Sequence, residues 1–260
     1  MKTYESFSQH GEDLAVAEHF AWRQSGFFVE VGALDGVTYS NTFMLERDLD
    51  WVGILVEANP DQAERCRQAR KSSRVVAKAA SSPEVSGMTL MLNVVDGFEA
   101  LSTFDLTGWS EEIVARGESV GMVSGVHQVD VECVTLDAIL EEADAPSSFD
   151  FLSIDIEGHE EQALEGFSLG GRWKPSVILI ENALTRPNTR IAKQLTRGGY
   201  SYRRTIAGIN EWWEPRNGGL VWPSRAKHYW DYRGQMFRTT AKSTLRRLNL
   251  LGRVQALRRR

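Results

Sequence analysis

Five short runs of β-branched and apolar residues recur along the chain, at 27–32, 51–58, 74–80, 149–157 and 176–183, with helical stretches between most of them. Each run is apolar on both faces, the pattern of strands covered by helices above and below. That requirement constrains the fold more than any other feature. The intervening stretches agree with it: 41–48 reads as a short helix, and Asn59-Pro60-Asp61 opens another that reaches about residue 70. Proline suits the first turn because its missing N–H has no partner there, and the Asn59 side chain can cap the exposed N–H groups. After Tyr200 the pattern turns β-like, with turns at Ala207-Gly208 and Asn217-Gly218-Gly219. The expected fold class is α/β, with a mostly parallel central sheet, late antiparallel strands and helices on both faces.

The 260 residues, 42% of them hydrophobic, suffice for one such domain with its own core. Its expected extent is 1–234. The alternation breaks at 87–134, where 88–94 and 126–134 read as strands around a polar loop with Trp109 and a helix at 111–116. This segment is either an insertion on the substrate side or an antiparallel extension of the sheet. The tail 235–260 carries eight basic residues and no acidic one, against a formal net charge of −5 for the whole chain. Such a balance argues against nucleic-acid binding by bulk charge. The tail spaces Leu245, Leu248, Leu251, Val254 and Leu257 at three-residue steps, a basic amphipathic pattern suited to an anionic membrane surface or an acidic partner. A solvated terminal helix is the alternative, and Gly252 favours it. The start, MKTYESFSQHGEDL, lacks the apolar stretch of a secretory signal, and a cytoplasmic location is expected. Cys66 and Cys133 lack metal-type spacing and read as reduced structural thiols.

Chemistry-bearing residues gather where the strands end. The first run closes in Val29-Glu30-Val31-Gly32-Ala33-Leu34-Asp35-Gly36, at the carboxyl edge where open α/β sheets bind ligands. A nicotinamide-dinucleotide site would need G-x-G-x-x-G; that spacing is missing, and Glu30 and Asp35 would repel a diphosphate. An NAD-dependent oxidoreductase is therefore the disfavoured rival. Glu57 ends the second run, where doubly wound folds place an acid on ribose hydroxyls. Ala79-Ala80-Ser81-Ser82 leaves room for a flat purine ring, or forms an ordinary turn. The fourth run closes in Asp155-Ile156-Glu157-Gly158-His159-Glu160, costly charges for an apolar strand unless they meet water, a metal or a substrate. Two-residue periodicity places Asp155 and Glu157 on one strand face; capping of the helix 160–167 is the bland alternative. Glu181-Asn182 ends the fifth run. Ser8-Gln9-His10-Gly11-Glu12-Asp13 precedes a helical stretch at 14–22, with Ser8 or Asp13 as the expected cap.

Taken together, Ser8-Gln9-x-Gly11-Glu12-Asp13, Phe28-Val29-Glu30-Val31-Gly32-Ala33, Asn41-Thr42, Glu57-Ala58-Asn59-Pro60 and Asp155-Ile156-Glu157-Gly158-His159-Glu160 resemble the FkbM-type methyltransferase family. The motifs run in family order over about two-thirds of the chain. The resemblance implies a Rossmann-like class I methyltransferase fold, S-adenosylmethionine as methyl donor, and O-methylation of a hydroxyl on a sugar, glycan or other natural product. It implies that Glu30, Gly32 and Glu57 line the donor and that Asp155 faces the transferred methyl. With Asp35, Asn41, Ala58, Ala80 and Ser81 these form the candidate donor set. Two departures stand out: Glu30 occupies a position where the family often has Asp, and 87–134 matches no assignable part. A scaffold of the same fold without catalysis is the non-enzyme alternative.

Methyl transfer to an alcohol also needs a proton acceptor. His159 is the candidate base because an imidazole titrates near neutral pH, with Asp155 or Glu157 to orient it. In a metal-assisted version Asp155, Glu181 and Asn182 hold a Mg²⁺ through hard oxygen ligands. His10, His19, His127 and His228 read as structural or surface residues. Trp212-Trp213, with Trp222, Tyr229, Trp230 and Tyr232, form an aromatic group read as core packing, with sugar stacking as the alternative.

Overall fold

The computed structural model describes residues 4–182 and 187–216. The basic tail 235–260, the late aromatics Trp222, Tyr229, Trp230 and Tyr232, His228 and the turn at Asn217-Gly218-Gly219 lie outside the described residues.

The chain begins with α1 (Glu12–His19) and then alternates: β1 (Phe27–Val31), α2 (Phe43–Leu49), β2 (Val52–Val56), α3 (Pro60–Ala69) and β3 (Arg74–Val76). A smaller excursion follows, made of β4 (Ala79–Ala80), β5 (Thr89–Asp96), α4 (Trp109–Ser119) and β6 (Gly125–Val134). The alternation resumes with α5 (Leu136–Glu142), β7 (Ser148–Ile154), α6 (Glu160–Glu165), β8 (Lys174–Glu181) and α7 (Thr189–Arg197). It ends in the hairpin β9 (Tyr200–Ile206) and β10 (Asn210–Pro215).

Seven strands form the main sheet in the order β3-β2-β1-β7-β8-β10-β9. The first five are parallel, and β10 inserts antiparallel between β8 and β9. This is the mostly parallel, Rossmann-like α/β sheet with late antiparallel strands. Alternation along each strand supplies both covered faces. Val29, Val31, Leu152, Ile154, Ile178 and Ile180 pack against α5, α6 and α7 through Leu136, Ile139, Ala163, Leu164, Ile191 and Leu195. Phe28, Phe151, Val177 and Leu179 face the other way, against Val16 of α1, Met44, Leu45 and Leu49 of α2, and Cys66 of α3. Trp212 and Trp213 are buried on opposite faces of the sheet, as core. Both cysteines are buried and unpaired, and burial pushes the Cys66 thiol up to about 12.

The chain winds outward from β1 to β3 and then returns to start β7 beside β1, so the strand order reverses between β1 and β7. At such a switch point the loops leave in opposite directions and open a crevice at the strands' carboxyl ends. Gly32 is at that point with φ +90, so close to β7 that a Cβ would overlap the Asp155 carbonyl oxygen.

Four sequence expectations change in detail. The run 74–80 is two strands: β3 pairs with β2, whereas β4 leaves the main sheet and pairs parallel with β6. The segment 87–134 is an antiparallel β5–β6 hairpin with α4 between its strands, forming a second sheet in the order β4-β6-β5. β7 stops at Ile154, so Asp155 and Glu157 occupy a turn and not one strand face; Glu157 has φ +53. The N-cap position of α1 is Gly11 with φ +85, while Ser8 Oγ and Asp13 Oδ1 accept from the first-turn N–H groups of Asp13 (3.3 Å) and Leu14 (2.8 Å). Asn59 does cap α3, accepting from the Asp61 N–H at 3.0 Å. Among the described residues no helix is long and apolar enough to cross a membrane.

Candidate functional site

Glu30 shares the strand face of Phe28 and so turns toward α2 and α3. There its carboxylate accepts from Ser40 Oγ (2.9 Å), the Asn41 N–H (2.7 Å) and Thr42 Oγ1 (2.6 Å). The fully buried guanidinium of Arg70 lies 3.8 Å away and also donates to Glu46 (2.9 Å), the Gly36 carbonyl (2.9 Å) and Thr42 Oγ1 (3.0 Å). Desolvation outweighs these partners and raises the Glu30 carboxyl above its ordinary range. Glu30 borders the cleft, but its oxygens are committed to the 40–42 loop. That loop presents Asn41, which donates from Nδ2 to Ser153 Oγ at 2.9 Å. Asp35 does not line the cleft: it accepts from the Val37 and Thr38 N–H groups (2.8 and 2.7 Å) and from Thr38 Oγ1, closing its own turn.

Glu57 stands at the end of β2, with one oxygen accepting from the Leu34 N–H (2.7 Å) and the other from the Asn59 N–H (2.8 Å). Burial is the stronger influence and pushes its carboxyl up to about 7. The carboxylate keeps lone-pair capacity for a ligand hydroxyl. Gly32, Ala58 and Ala80 line the same cleft. Ser81 is buried behind it, and its hydroxyl meets His159 Nε2 at 2.9 Å.

The turn after β7 carries the strongest electrostatic signature. Glu160 accepts from the Ile156 and Gly158 N–H groups (3.0 and 3.2 Å), and burial raises it to about 7. Asp155 and Glu181 face each other; burial raises both, with the charge of Glu12 adding at Asp155 and the charges of Asp155, Glu157 and Glu160 adding at Glu181. Glu157 is raised by burial and by the charges of Asp155 and Glu160. His159 is driven the other way, to about 4, by burial alone, with its ring centroid 4.7 Å from that of Phe104. The expected carboxylate partner of the imidazole is not there; Ser81 takes that place.

Asn182 does not join Asp155 and Glu181 as a Mg²⁺ ligand. Its Oδ1 accepts from the Asn188 N–H (2.6 Å) and its Nδ2 donates to the Asn188 carbonyl (3.4 Å), tying a loop. Among the described residues no group of three or more His, Cys, Asp or Glu side chains is disposed to hold a metal. The expected Mg²⁺ set does not fit this arrangement.

Sequence reasoning missed one wall. Asp13 accepts from Ser6 Oγ (2.6 Å), the Phe7 N–H (2.7 Å) and Ser8 Oγ (2.9 Å), while Glu12 accepts from the His10 N–H (2.7 Å) and Asn210 Nδ2 (3.0 Å). With a bridge from Ser8 to Tyr39, these bonds bring Gln9 to the cleft and put His10 near enough for its charge to favour the Asp155 carboxylate. His10 is thus a neighbour of the site and not a remote surface residue. Tyr39, Phe98 and Phe104 also line the cleft, which holds about 1030 Å³ counting space open to solvent. The Gln9-x-Gly11-Glu12-Asp13 motif was the one sequence signal for this wall.

The raised carboxyls make the ligand-free fold pH-sensitive. Glu57 and Glu160 titrate near 7 when folded and near 4.5 otherwise, so the stability they lend is complete below about 4.5 and is lost as pH rises through 7. His159 acts oppositely, lending stability above 6.5 that is lost as pH falls through 4. Between pH 8 and 6.5 the carboxyls dominate. The melting temperature of ligand-free protein is expected to rise over that descent; a flat or falling trend by calorimetry overturns this reading.

Solved structures to which the chain is similar include a TehB-like SAM-dependent methyltransferase from Corynebacterium glutamicum. It is 10% identical, with 80% of this chain and 89% of that chain covered and a TM-score of 0.43. A precorrin-6y C5,15-methyltransferase from Geobacter metallireducens GS-15 gives 10% identity, 84% and 94% coverage, and 0.44. A methyltransferase FkbM from Methylobacillus flagellatus KT gives 14% identity and 0.43, with 74% of this chain covering 44% of that one. No curated protein matches the chain. Residues 30–202 match the profile described as the methyltransferase FkbM domain, a span that holds the cleft's strand ends from Glu30 to His159. The chain therefore belongs to the FkbM methyltransferase family, and its activity is that of an S-adenosylmethionine-dependent methyltransferase.

Proposed function

We propose that the protein transfers a methyl group to a hydroxyl of a sugar, glycan or other natural-product acceptor. The observation that carries this reading is the acid-lined cleft. Glu57, Asp155 and Glu157 meet there with their carboxyls raised, and Lys78 is the one lysine or arginine among the lining residues. Such a site favours a cationic donor bearing a ribose diol. S-adenosylmethionine, when bound, supplies the electrophilic methyl. Glu57 accepts from the ribose hydroxyls, and Gly32 lets the ligand approach the backbone.

Glu157 takes the acceptor's proton. A carboxylate raised by burial is a stronger base than an exposed one, and a nearby cation restores its charged form. His159, with its pKa near 4, is neutral at physiological pH and too weak a base for that step; it serves as a hydrogen-bonding partner held by Ser81. The wall built by the inserted segment, with Phe98, Ser102 and Phe104, reads the acceptor together with Tyr39. Aromatic faces beside hydroxyl-binding groups suit a sugar ring. The acceptor is a small molecule or glycan.

Titration calorimetry with S-adenosylhomocysteine tests the donor site. Wild-type protein is expected to bind and Glu57→Ala to bind at least about tenfold more weakly, or about 1.4 kcal/mol. Equal affinities overturn the assignment of Glu57. Labelled methyl transfer to neutral sugars, aminated sugars and carboxylic acids then identifies the acceptor atom. A base-stable product methyl is expected of an ether, and a base-labile one overturns hydroxyl methylation. Donor binding without transfer to any acceptor favours a non-catalytic scaffold.

A further inference from the structure

The inserted segment is hydrogen-bonded to the catalytic turn through Thr103, a side chain that no sequence motif marks. Thr103 lies just after the 3₁₀ turn Glu99–Leu101 and is almost completely buried. Its backbone pairs with Asn93 of β5 in both directions, N–H to carbonyl, at 3.0 Å each. Asn93 adds a bond from Nδ2 to the Thr103 carbonyl (3.1 Å) and is itself held by Gln128 Nε2 at 3.0 Å. The strand pair β5–β6 therefore fixes where the Thr103 hydroxyl points. It donates to the Glu157 carbonyl at 3.1 Å, across 54 residues of sequence, and accepts from the Asp105 N–H at 3.2 Å. The Asp105 carbonyl, at 3.3 Å, is its other acceptor and the longer contact, and Ser110 Oγ stands 3.0 Å from that carbonyl and 3.1 Å from the carbonyl of Thr107. Among the described residues no other donor is seen on the Glu157 carbonyl.

Glu157 needs such a partner. It is a non-glycine residue at φ +53, followed by Gly158 at φ +98, and left-handed backbone of this kind persists only where neighbours hold it. We propose that Thr103 is a positioning residue. Its hydroxyl holds the Glu157 backbone in the conformation that turns the carboxylate into the cleft, and it joins the inserted wall to the catalytic turn as one unit. Phe104, its ring tilted 49° to that of His159 at 4.7 Å, is the second seam of the same joint. The functional consequence rests on the methyltransferase reading; the positioning itself does not.

The experiment compares wild type, Thr103→Val and Thr103→Ser. Valine keeps the branched shape without the hydroxyl, and serine keeps the hydroxyl without the methyl. In ligand-free protein, amide hydrogen exchange over 98–106 and 156–160 is expected to quicken about tenfold in Thr103→Val and to stay near wild type in Thr103→Ser, with the melting temperature of Thr103→Val lower by only a few °C. In methyl transfer, Thr103→Val is expected to lose about tenfold in kcat while KM for the acceptor and affinity for S-adenosylhomocysteine hold within about twofold; Thr103→Ser restores kcat. Unchanged exchange in Thr103→Val overturns the proposal. So does exchange that quickens evenly across the whole chain, which marks a general loss of stability, or a serine variant that behaves like valine. Failure of wild type to bind S-adenosylhomocysteine would sink the methyltransferase reading alone, because the exchange comparison needs no ligand.

Discussion

Replacing Glu157 by glutamine is expected to slow methyl transfer by about 10²- to 10⁴-fold, the range that a positioned general base contributes. The substitution keeps shape and volume and removes only the proton acceptor. Its carboxyl stands above the ordinary range because burial and the charges of Asp155 and Glu160 oppose ionisation. Affinity for S-adenosylhomocysteine should change little, since Glu57 and the Gly32 turn carry the donor in the proposed arrangement. The wild-type rate should climb with pH until Glu157 is fully ionised, and the glutamine variant should lose that limb. Steady-state rates of both proteins across pH check the pair of expectations. A glutamine variant with near wild-type rate removes Glu157 from the proton transfer and returns attention to His10, the imidazole beside Asp155.

The second large effect is expected on the fold. Gly32→Ala places a methyl group against the Asp155 carbonyl oxygen, a backbone atom of the neighbouring strand end, at a position where φ is +90. Left-handed backbone costs a non-glycine residue about 1 to 2 kcal/mol. Forcing two packed strand ends apart adds about 1 to 3 kcal/mol. For a domain of this size that is a melting temperature lower by on the order of 10 °C. The ends of β1 and β7 must separate to admit the methyl, so donor affinity should fall with stability. Calorimetry and S-adenosylhomocysteine titration on one preparation check both; a variant that melts and binds like wild type contradicts the close approach of Gly32 to β7.

Much of the architecture was legible because it follows from local rules. Strands that must be covered on both faces show as continuous apolar runs, and Asn59-Pro60 announces a helix start through backbone chemistry alone. The ligand edge was legible for a related reason: acids at the end of an apolar strand are expensive anywhere but at a wet or occupied edge. Glu30, Gly32, Asn41, Glu57, Ala58, Ala80, Asp155, Glu157 and His159, chosen from strand ends and motif order, border one cleft. What each group does there was not legible. Glu30 and Asp35 look equivalent in sequence, yet one binds a loop through a buried network with Arg70 and the other closes its own turn. His159 was read as a base from its ordinary pKa, whereas burial without a carboxylate partner lowers it.

The sequence by itself determined the order of the elements, the face each strand buries and the edge where charge collects, because periodicity and end chemistry are properties of neighbours along the chain. Only the tertiary structure decided which carboxyls face each other, that Asn182 ties a loop, and that Gln9 and the 98–104 segment line the cleft. Those outcomes depend on desolvation and on hydrogen bonds between residues far apart in sequence, such as Thr103 and Glu157 or Asn210 and Glu12. Their energies are set by which partner lies within reach in space and how much water it displaces, and no spacing along the chain encodes either quantity.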